Sequence, residues 1–418
     1  MKKLIFFIVL LPLISLMSCH EKGLLQPPFT YIMSPEDGDT LHTPWPTFYF
    51  KSLDGADGYH LQVDDTTTFK TPIRENTQIQ DTFYQIRDSL RDGKYYWRVR
   101  SREGGLYGQW SEVRNFYILT NPYAVTGYTN VIGYARDVWV EGNMAYVAAS
   151  EGGISIFDVA DPDAPLFVSR WDDTLKQYVA RSLFKEEGSS YLYLADDDGG
   201  LEMLNVAEVD SIYFLFNSWN RNCEDVWGTK LNDTLFLFVA DRDDGLYSFR
   251  EGPNYLVELS HISTEAELYG VYVKDTLAYL AVGELGLEIV DISDPLHMTP
   301  VATLPLVGRA RDVKVMGDLA FVASSTEGLH IISVSDPSSP VLLATIDLSG
   351  YSMKVAAADS VVFVACGSGG LRIVDVSDPS EPKLIGHVDT GYSYGVFIKG
   401  DYIYVASREG LYTVRRIF

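Results

Sequence analysis

Cysteine is almost missing from this 418-residue chain, which has three: Cys19, Cys223 and Cys366. The last two fall in different repeats, so no disulfide framework is written, and both read as small buried apolar residues. Histidine is also scarce. The seven histidines lack metal-ligand spacing, and there is no Gly-x-Ser-x-Gly elbow, phosphate-binding loop or Cys-x-x-Cys pair. Hydrolase, nucleotide and zinc chemistries are thus left without their usual residues, and neither a cofactor nor a metal is expected. Positive charge is the third shortage. With 33 basic against 57 acidic residues the formal charge is −24, which repels phosphate backbones and argues against nucleic acid as a partner. Beyond the N-terminus there is no convincing helical periodicity.

What is present starts with Lys2 and Lys3 ahead of an apolar run from Leu4 to Met17. That order is the pattern of a secretory signal, and the run is too short for a spanning helix. It ends in Leu16-Met17-Ser18-Cys19, which resembles the lipobox of bacterial lipoproteins, with Met17 bulkier than the usual residue. The resemblance implies that residues 1–18 are removed, that Cys19 is diacylated, and that residues 19–27 tether the protein to a membrane. Each buried methylene of an acyl chain contributes about 0.8 kcal/mol, so two or more chains hold firmly. His20 stands where many inner-membrane lipoproteins carry aspartate, so the expected location is the bacterial cell envelope, at the outer membrane.

The rest reads as all-β: short alternating runs rich in Val, Ile, Tyr and Phe between Gly, Asp, Asn and Pro turns. Residues 28–118 contain Pro46-Thr47-Phe48-Tyr49-Phe50, Gly58-Tyr59-His60-Leu61-Gln62-Val63, Tyr95-Tyr96-Trp97-Arg98-Val99-Arg100 and Gln109-Trp110-Ser111. They resemble a fibronectin type III domain, a two-sheet sandwich of about a hundred residues. The resemblance implies core roles for Tyr59 and Trp97, and a tyrosine corner in the Leu90 to Tyr96 stretch.

Residues 121–418 are repetitive. A Gly followed by Ile or Leu recurs at Gly153, Gly200, Gly245, Gly286, Gly328, Gly370 and Gly410, in steps of 47, 45, 41, 42, 42 and 40 residues. Each mark follows a strand ending in alanine, such as Phe321-Val322-Ala323, and precedes an outer strand and a Pro-terminated turn. Leu287-Glu288-Ile289-Val290-Asp291-Ile292-Ser293-Asp294-Pro295 and Leu371-Arg372-Ile373-Val374-Asp375-Val376-Ser377-Asp378-Pro379 show this best. Four short strands in about 42 residues is one propeller blade. These residues closely resemble the LVIVD-repeat family of bacterial extracytoplasmic propellers. The likeness is weaker at 201–255, where the turn decays to Asn205-Val206-Ala207-Glu208 and Arg250-Glu251-Gly252-Pro253. It implies a seven-bladed β-propeller. The last unit stops after three strands, and Pro122 to Gly127 matches the fourth strand at Pro382 to Gly386, so the N-terminal strand is expected to complete the final blade.

In such a ring, the loops leading into the innermost strands crowd one mouth of the axial channel. They carry Tyr134, Arg136 and Asp137; Tyr178 and Arg181; Asn222, Glu224 and Asp225; Glu267 and Tyr269; Arg309, Arg311 and Asp312; Tyr351 and Lys354; Tyr392 and Tyr394. Tyrosine and arginine dominate binding hot spots because they join contact area to directional hydrogen bonds. The plainer reading is a ring of charges that satisfies neighbouring blades. The acidic turns Asp196-Asp197-Asp198-Gly199 and Asp241-Arg242-Asp243-Asp244-Gly245 lack the longer loop of a calcium motif and read as Asx-turns. The expected function is a lipid-anchored surface module that binds a protein or glycan through the mouth and is not an enzyme. The alternatives are a glycoside hydrolase or lyase using Asp137, Glu224, Asp225 or Asp312 in pairs, and a structural envelope component with contacts on its blade rims.

Overall fold

In the computed structural model the alternating runs become strands throughout, and the described residues, 30–41, 43–118, 120–172, 179–218 and 221–417, contain no helix. The signal segment, Cys19 and Tyr178 lie outside them. The chain divides between Thr120 and Asn121 into two compact units.

The first unit has two sheets. Ile32–Ser34, Thr47–Phe50 and Phe83–Gln85 make a small one. The larger runs Asp39–Leu41, Arg114–Ile118, Gly93–Glu103, Gly58–Asp64, Arg74–Ile79, with its first pair parallel and the rest antiparallel. Period-two alternation along Gly93–Glu103 buries Tyr95, Trp97, Val99 and Ser101 on one face. Phe48 and Phe50 of the small sheet close on Tyr59, Leu61, Trp97 and Phe116 of the large one, with Phe48 and Trp97 rings 4.8 Å apart. The Tyr95 hydroxyl donates back to the Arg91 carbonyl at 3.0 Å, pinning the corner beside buried Leu90.

The second unit consists, among the described residues, of seven four-stranded antiparallel sheets, six of them pairing their strands in chain order. The innermost strands are Asp137–Glu141, Ser182–Phe184, Cys223–Leu231, Gly270–Lys274, Asp312–Met316, Lys354–Ala358 and Ser393–Lys399. The last sheet takes its outer strand from the unit's start: Tyr123–Thr129 pairs with Gly410–Arg416. The repeated glycine now has a cause. At Gly286, with φ +102°, a Cβ would stand 2.5 Å from the Leu304 carbonyl oxygen of the outer strand, so only glycine fits. At Gly410 the crowding atom is the Thr129 carbonyl, the same relation supplied by the N-terminal strand. Each outer pairing carries a bulge at the same register, as at Ile289/Val290 and Ile331/Ile332, which increases the local twist.

The Asp-x-Ser-Asp-Pro stretch forms two successive Asx-turns. Asp291 accepts from the Ser293 amide at 2.8 Å and Asp294 from the Leu296 amide at 3.0 Å; Asp375 and Asp378 repeat this. Where the motif decays, Asn205 still accepts from the Ala207 amide at 2.9 Å, since the turn needs a side-chain oxygen rather than a charge.

No sheet covers its own faces, so apolar cores form between neighbours. Ala281, Leu287 and Ile289 pack with Val313, Val315 and Val322 of the next sheet. Val138, Ala145 and Val147 of the first pack with Tyr404, Ala406 and Leu411 of the last, which joins the ends of the series. The arrangement is β-propeller-like. Cys223 and Cys366 are buried and unpaired.

Candidate functional site

Seven equivalent positions lie within the first three residues of the innermost strands: Asp137, Ser182, Asp225, Gly270, Asp312, Lys354 and Gly395. The side chains at this level constrict the channel into a waist. Lys354 Nζ donates to Asp137 Oδ2 at 2.6 Å and to Ser182 Oγ at 2.9 Å, and pairs with Asp225 Oδ1 at 3.4 Å. Ser182 Oγ donates to Asp137 at 2.8 Å and also touches Asp225. Each aspartate also buckles its sheet to the next: Asp225 accepts from the Val271 amide at 3.0 Å, Asp312 from the Val355 amide at 2.8 Å, and Asp137 from the Leu183 amide at 3.3 Å. The glycines make room, since a Cβ at Gly270 would come within 2.9 Å of Asp312 Cα and one at Gly395 within 2.9 Å of Asp137 Cα. Burial pushes the Asp312 carboxyl up to about 7 against the pull of Lys354. Burial likewise disfavours the Lys354 ammonium, yet Asp137, Asp225 and Asp312 around it hold its pKa above the ordinary lysine value.

One residue before this level lies a mouth lined by Arg136, Arg181, Glu224, Tyr269, Arg311, Met353 and Tyr394, with Asp225, Asp312 and Lys354 as its floor. The Arg311 guanidinium lies 3.9 Å from the Tyr269 ring centre and that of Arg136 4.2 Å from the Tyr394 ring centre. Arg136 Nε donates to Ser150 Oγ at 2.8 Å. Arg181 pairs with Asp197 at 2.6 Å and reaches Glu224 at 3.6 Å; Arg242 also pairs with Glu224. Burial lowers the pKa of Arg136 and Arg311, with Arg181 adding to the effect in both. Both guanidiniums stay charged at neutral pH, so the mouth gathers positive charge on a strongly acidic protein.

Of the residues expected at the mouth, Arg136, Arg181, Glu224, Tyr269, Arg311 and Tyr394 converge there. Asp137, Asp225 and Asp312 sit one level deeper and are occupied in the waist. Tyr351 is half-buried and Tyr134 more exposed, with Tyr134 under the Arg408 guanidinium at 5.2 Å. Tyr392 packs 4.9 Å from Tyr394. Asp241 accepts from three backbone amides, those of Asn222, Asp243 and Asp244, each at 3.0 Å, which is Asx-turn chemistry. Among the described residues no group of three His, Cys, Asp or Glu side chains is arranged to hold a metal ion.

Two residues further along each strand comes a third level: Trp139, Phe184, Trp227, Tyr272, Lys314, Ala356 and Phe397. Sequence reasoning passed over these residues. The signal for them was period-two alternation: in a strand, i and i+2 share a face, and reading on from Asp137, Asp225 and Gly270 reaches Trp139, Trp227 and Tyr272.

Solved structures give the class. Raptor from Chaetomium thermophilum is similar at TM-score 0.57 and 12% identity, over 70% of this chain and 29% of that one. The WD40 β-propeller domain of Doa1 is similar at TM-score 0.53 and 13% identity, over 70% of this chain and 96% of that domain. The computationally designed Ika8 protein is similar at TM-score 0.51 and 9% identity, over 94% and 97%. Identities this low speak for fold alone, and the fold is an all-β, propeller-like one. More particularly, the chain carries LVIVD repeats, matched at residues 132–173, 269–303, 307–347, 349–390 and 391–414. No curated protein matches the sequence.

Proposed function

We propose that this chain is a cell-envelope lipoprotein, acylated at Cys19, in which a fibronectin type III-like domain carries a seven-bladed LVIVD β-propeller whose mouth binds an acidic protein or glycan. The observation that carries the binding reading is the convergence of Arg136, Arg181 and Arg311 with Tyr269 and Tyr394 on one mouth. Among the described residues Arg311 has an aromatic face as its neighbour and no carboxylate within ion-pair distance, so its charge is available to an incoming carboxylate or sulfate. Among the described residues Arg136 is held by the neutral Ser150 hydroxyl and the Tyr394 ring, with no carboxylate within ion-pair distance. Positioned guanidiniums and flat phenols suit acidic, ring-bearing ligands. The waist carboxylates, the pair a hydrolase would require, are bridged by Lys354 and Ser182, which favours recognition over hydrolysis. Seven sheets in series with a shared first-to-last core support the blade count, and the sheet order with the Tyr95 corner supports the fibronectin likeness. The lipid anchor rests on the Leu16 to Cys19 stretch.

A structural role through the rims is the second reading, favoured by exposed Leu166, Phe167, Tyr213, Leu342 and Leu384 on outer strands. Retention on a glycan and envelope-protein array separates the two. Arg136→Ala, Arg311→Ala and Tyr394→Ala should each lose a retained acidic ligand, and added salt should weaken it. Unchanged retention by all three variants rejects the mouth and leaves the rims.

A further inference from the structure

Past the waist, away from the mouth, the channel widens into a cavity of about 270 Å³. Its side walls come from the third level of inner-strand side chains, and the waist residues Asp137, Ser182, Asp225, Asp312 and Lys354 close its near end. Trp139 lies 5.0 Å from Phe397, 5.3 Å from Phe184 and 5.7 Å from Trp227, and Trp227 lies 4.6 Å from Tyr272. The sixth sheet breaks this aromatic series with Ala356 and Ala357, and the small side chains leave space beside Phe397. The fifth sheet breaks it with a cation. Lys314 Nζ stands 4.1 Å from the Tyr272 ring centre and 4.5 Å from that of Trp227. No carboxylate or carbonyl of the described residues pairs with it, because Asp312 and Asp225 are turned to the backbone amides and Lys354 of the waist. Burial drives its pKa down to about 8, with Asp312 pulling the other way. An ammonium held against two ring faces, bordering empty space and with the nearby waist carboxylates engaged elsewhere, is a cation short of a paired anion.

We propose that this cavity binds a small aromatic carboxylate, its ring against Trp139 and Phe397 over the alanine gap and its carboxylate on Lys314 Nζ. The volume lies just below the range of ligand pockets for drug-sized molecules, roughly 300–1,000 Å³, and exceeds the roughly 150 Å³ apolar cavity that suffices for benzene. A sugar acid is the poorer fit, since its hydroxyls would face aromatic and aliphatic side walls, while the waist groups at the near end are already bonded to one another and to backbone amides. The waist separates this site from the mouth, so it stands or falls independently of the function proposed above.

The test titrates the full mature chain with benzoate, benzamide and glucuronate, following tryptophan emission and binding heat. Benzoate should bind at least about tenfold more tightly than benzamide, and glucuronate more weakly than benzoate. Lys314→Met should erase the preference for benzoate over benzamide. Ala356→Leu should fill the gap and remove both, with thermal unfolding checking that the variants fold. Arg311→Ala, at the mouth, should leave benzoate affinity unchanged. Equal binding of benzoate and benzamide, tighter binding of glucuronate, no benzoate binding at millimolar concentration, or loss of it in Arg311→Ala would each overturn the assignment. The ligand series on the unaltered chain decides the matter even if Lys314→Met fails to fold.

Discussion

The two compartments of the channel are built from the same seven strands and share only the polar waist between them, Ser182, Asp225, Asp312 and Lys354. The mouth is lined by guanidiniums, a carboxylate and phenols. Beyond the waist residues at its near end, the cavity is walled by indole, phenyl and phenol rings, valines and alanines around Lys314. The difference teaches that the waist does more than narrow the channel. By concentrating three aspartates, a serine and a lysine in one layer, it spends the polar groups there on buckling each sheet to its neighbour, and separates a wet, charged face from a drier one. A propeller-like ring can therefore present two surfaces of different character a few residues apart.

The largest way to break this comparison is Lys354→Met. It leaves Asp137 and Asp225 buried without their cation, a loss that costs about 3–5 kcal/mol when one partner of a buried pair is removed. Thermal unfolding should drop sharply, and adding Asp137→Asn should recover part of it. No drop would mean that the waist is not held by charge. Smaller is the effect of pH through Asp312. Its raised carboxyl keeps a proton in the folded state up to about 7, so the stability this brings is present in acid and is lost as pH rises through that value. Asp312→Asn keeps an acceptor for the Val355 amide and cannot ionise. Denaturant titrations of the two proteins at pH 5 and pH 8 should diverge in favour of the variant at the higher pH by at least about 1.4 kcal/mol, the equivalent of one pKa unit. Parallel curves would show Asp312 ionised throughout. Smallest in stability is Arg311→Ala, which removes a stacked guanidinium from Tyr269 at a cost of about 0.5–1 kcal/mol. Its effect should instead be read in retention of acidic ligands at the mouth.

The repeats differ in how legible they were. The family match covers five stretches, four of which keep an Asp-Pro turn after the third strand, at Asp161, Asp294, Asp336 and Asp378, and passes over residues 174–268, where that turn has decayed. Yet Ser182–Phe184 through Tyr213–Ser218, and Cys223–Leu231 through Tyr255–Ile262, form the same four-stranded sheets. Glycine at Gly200 and Gly245, with strands ending in alanine before them, sufficed, because steric exclusion at the glycine and alternation in the strands do not depend on the turn. Arg136, Arg181, Arg311 and Tyr394 were legible for a similar reason, since every loop of that phase feeds one end of the ring. The buckling of Asp137, Asp225 and Asp312 was not. Each takes its partners from other sheets, 43 to 217 positions away in sequence, and no local pattern carries that distance.

What the sequence determined by itself is the unit: a four-stranded sheet per repeat, with a glycine where the outer strand's carbonyl leaves no room for a Cβ, and apolar faces that demand neighbours. Only the tertiary structure decided what the channel contains. The axial chemistry is a property of seven side chains at one height, and residues about forty positions apart acquire a common height only once the sheets are packed around one axis.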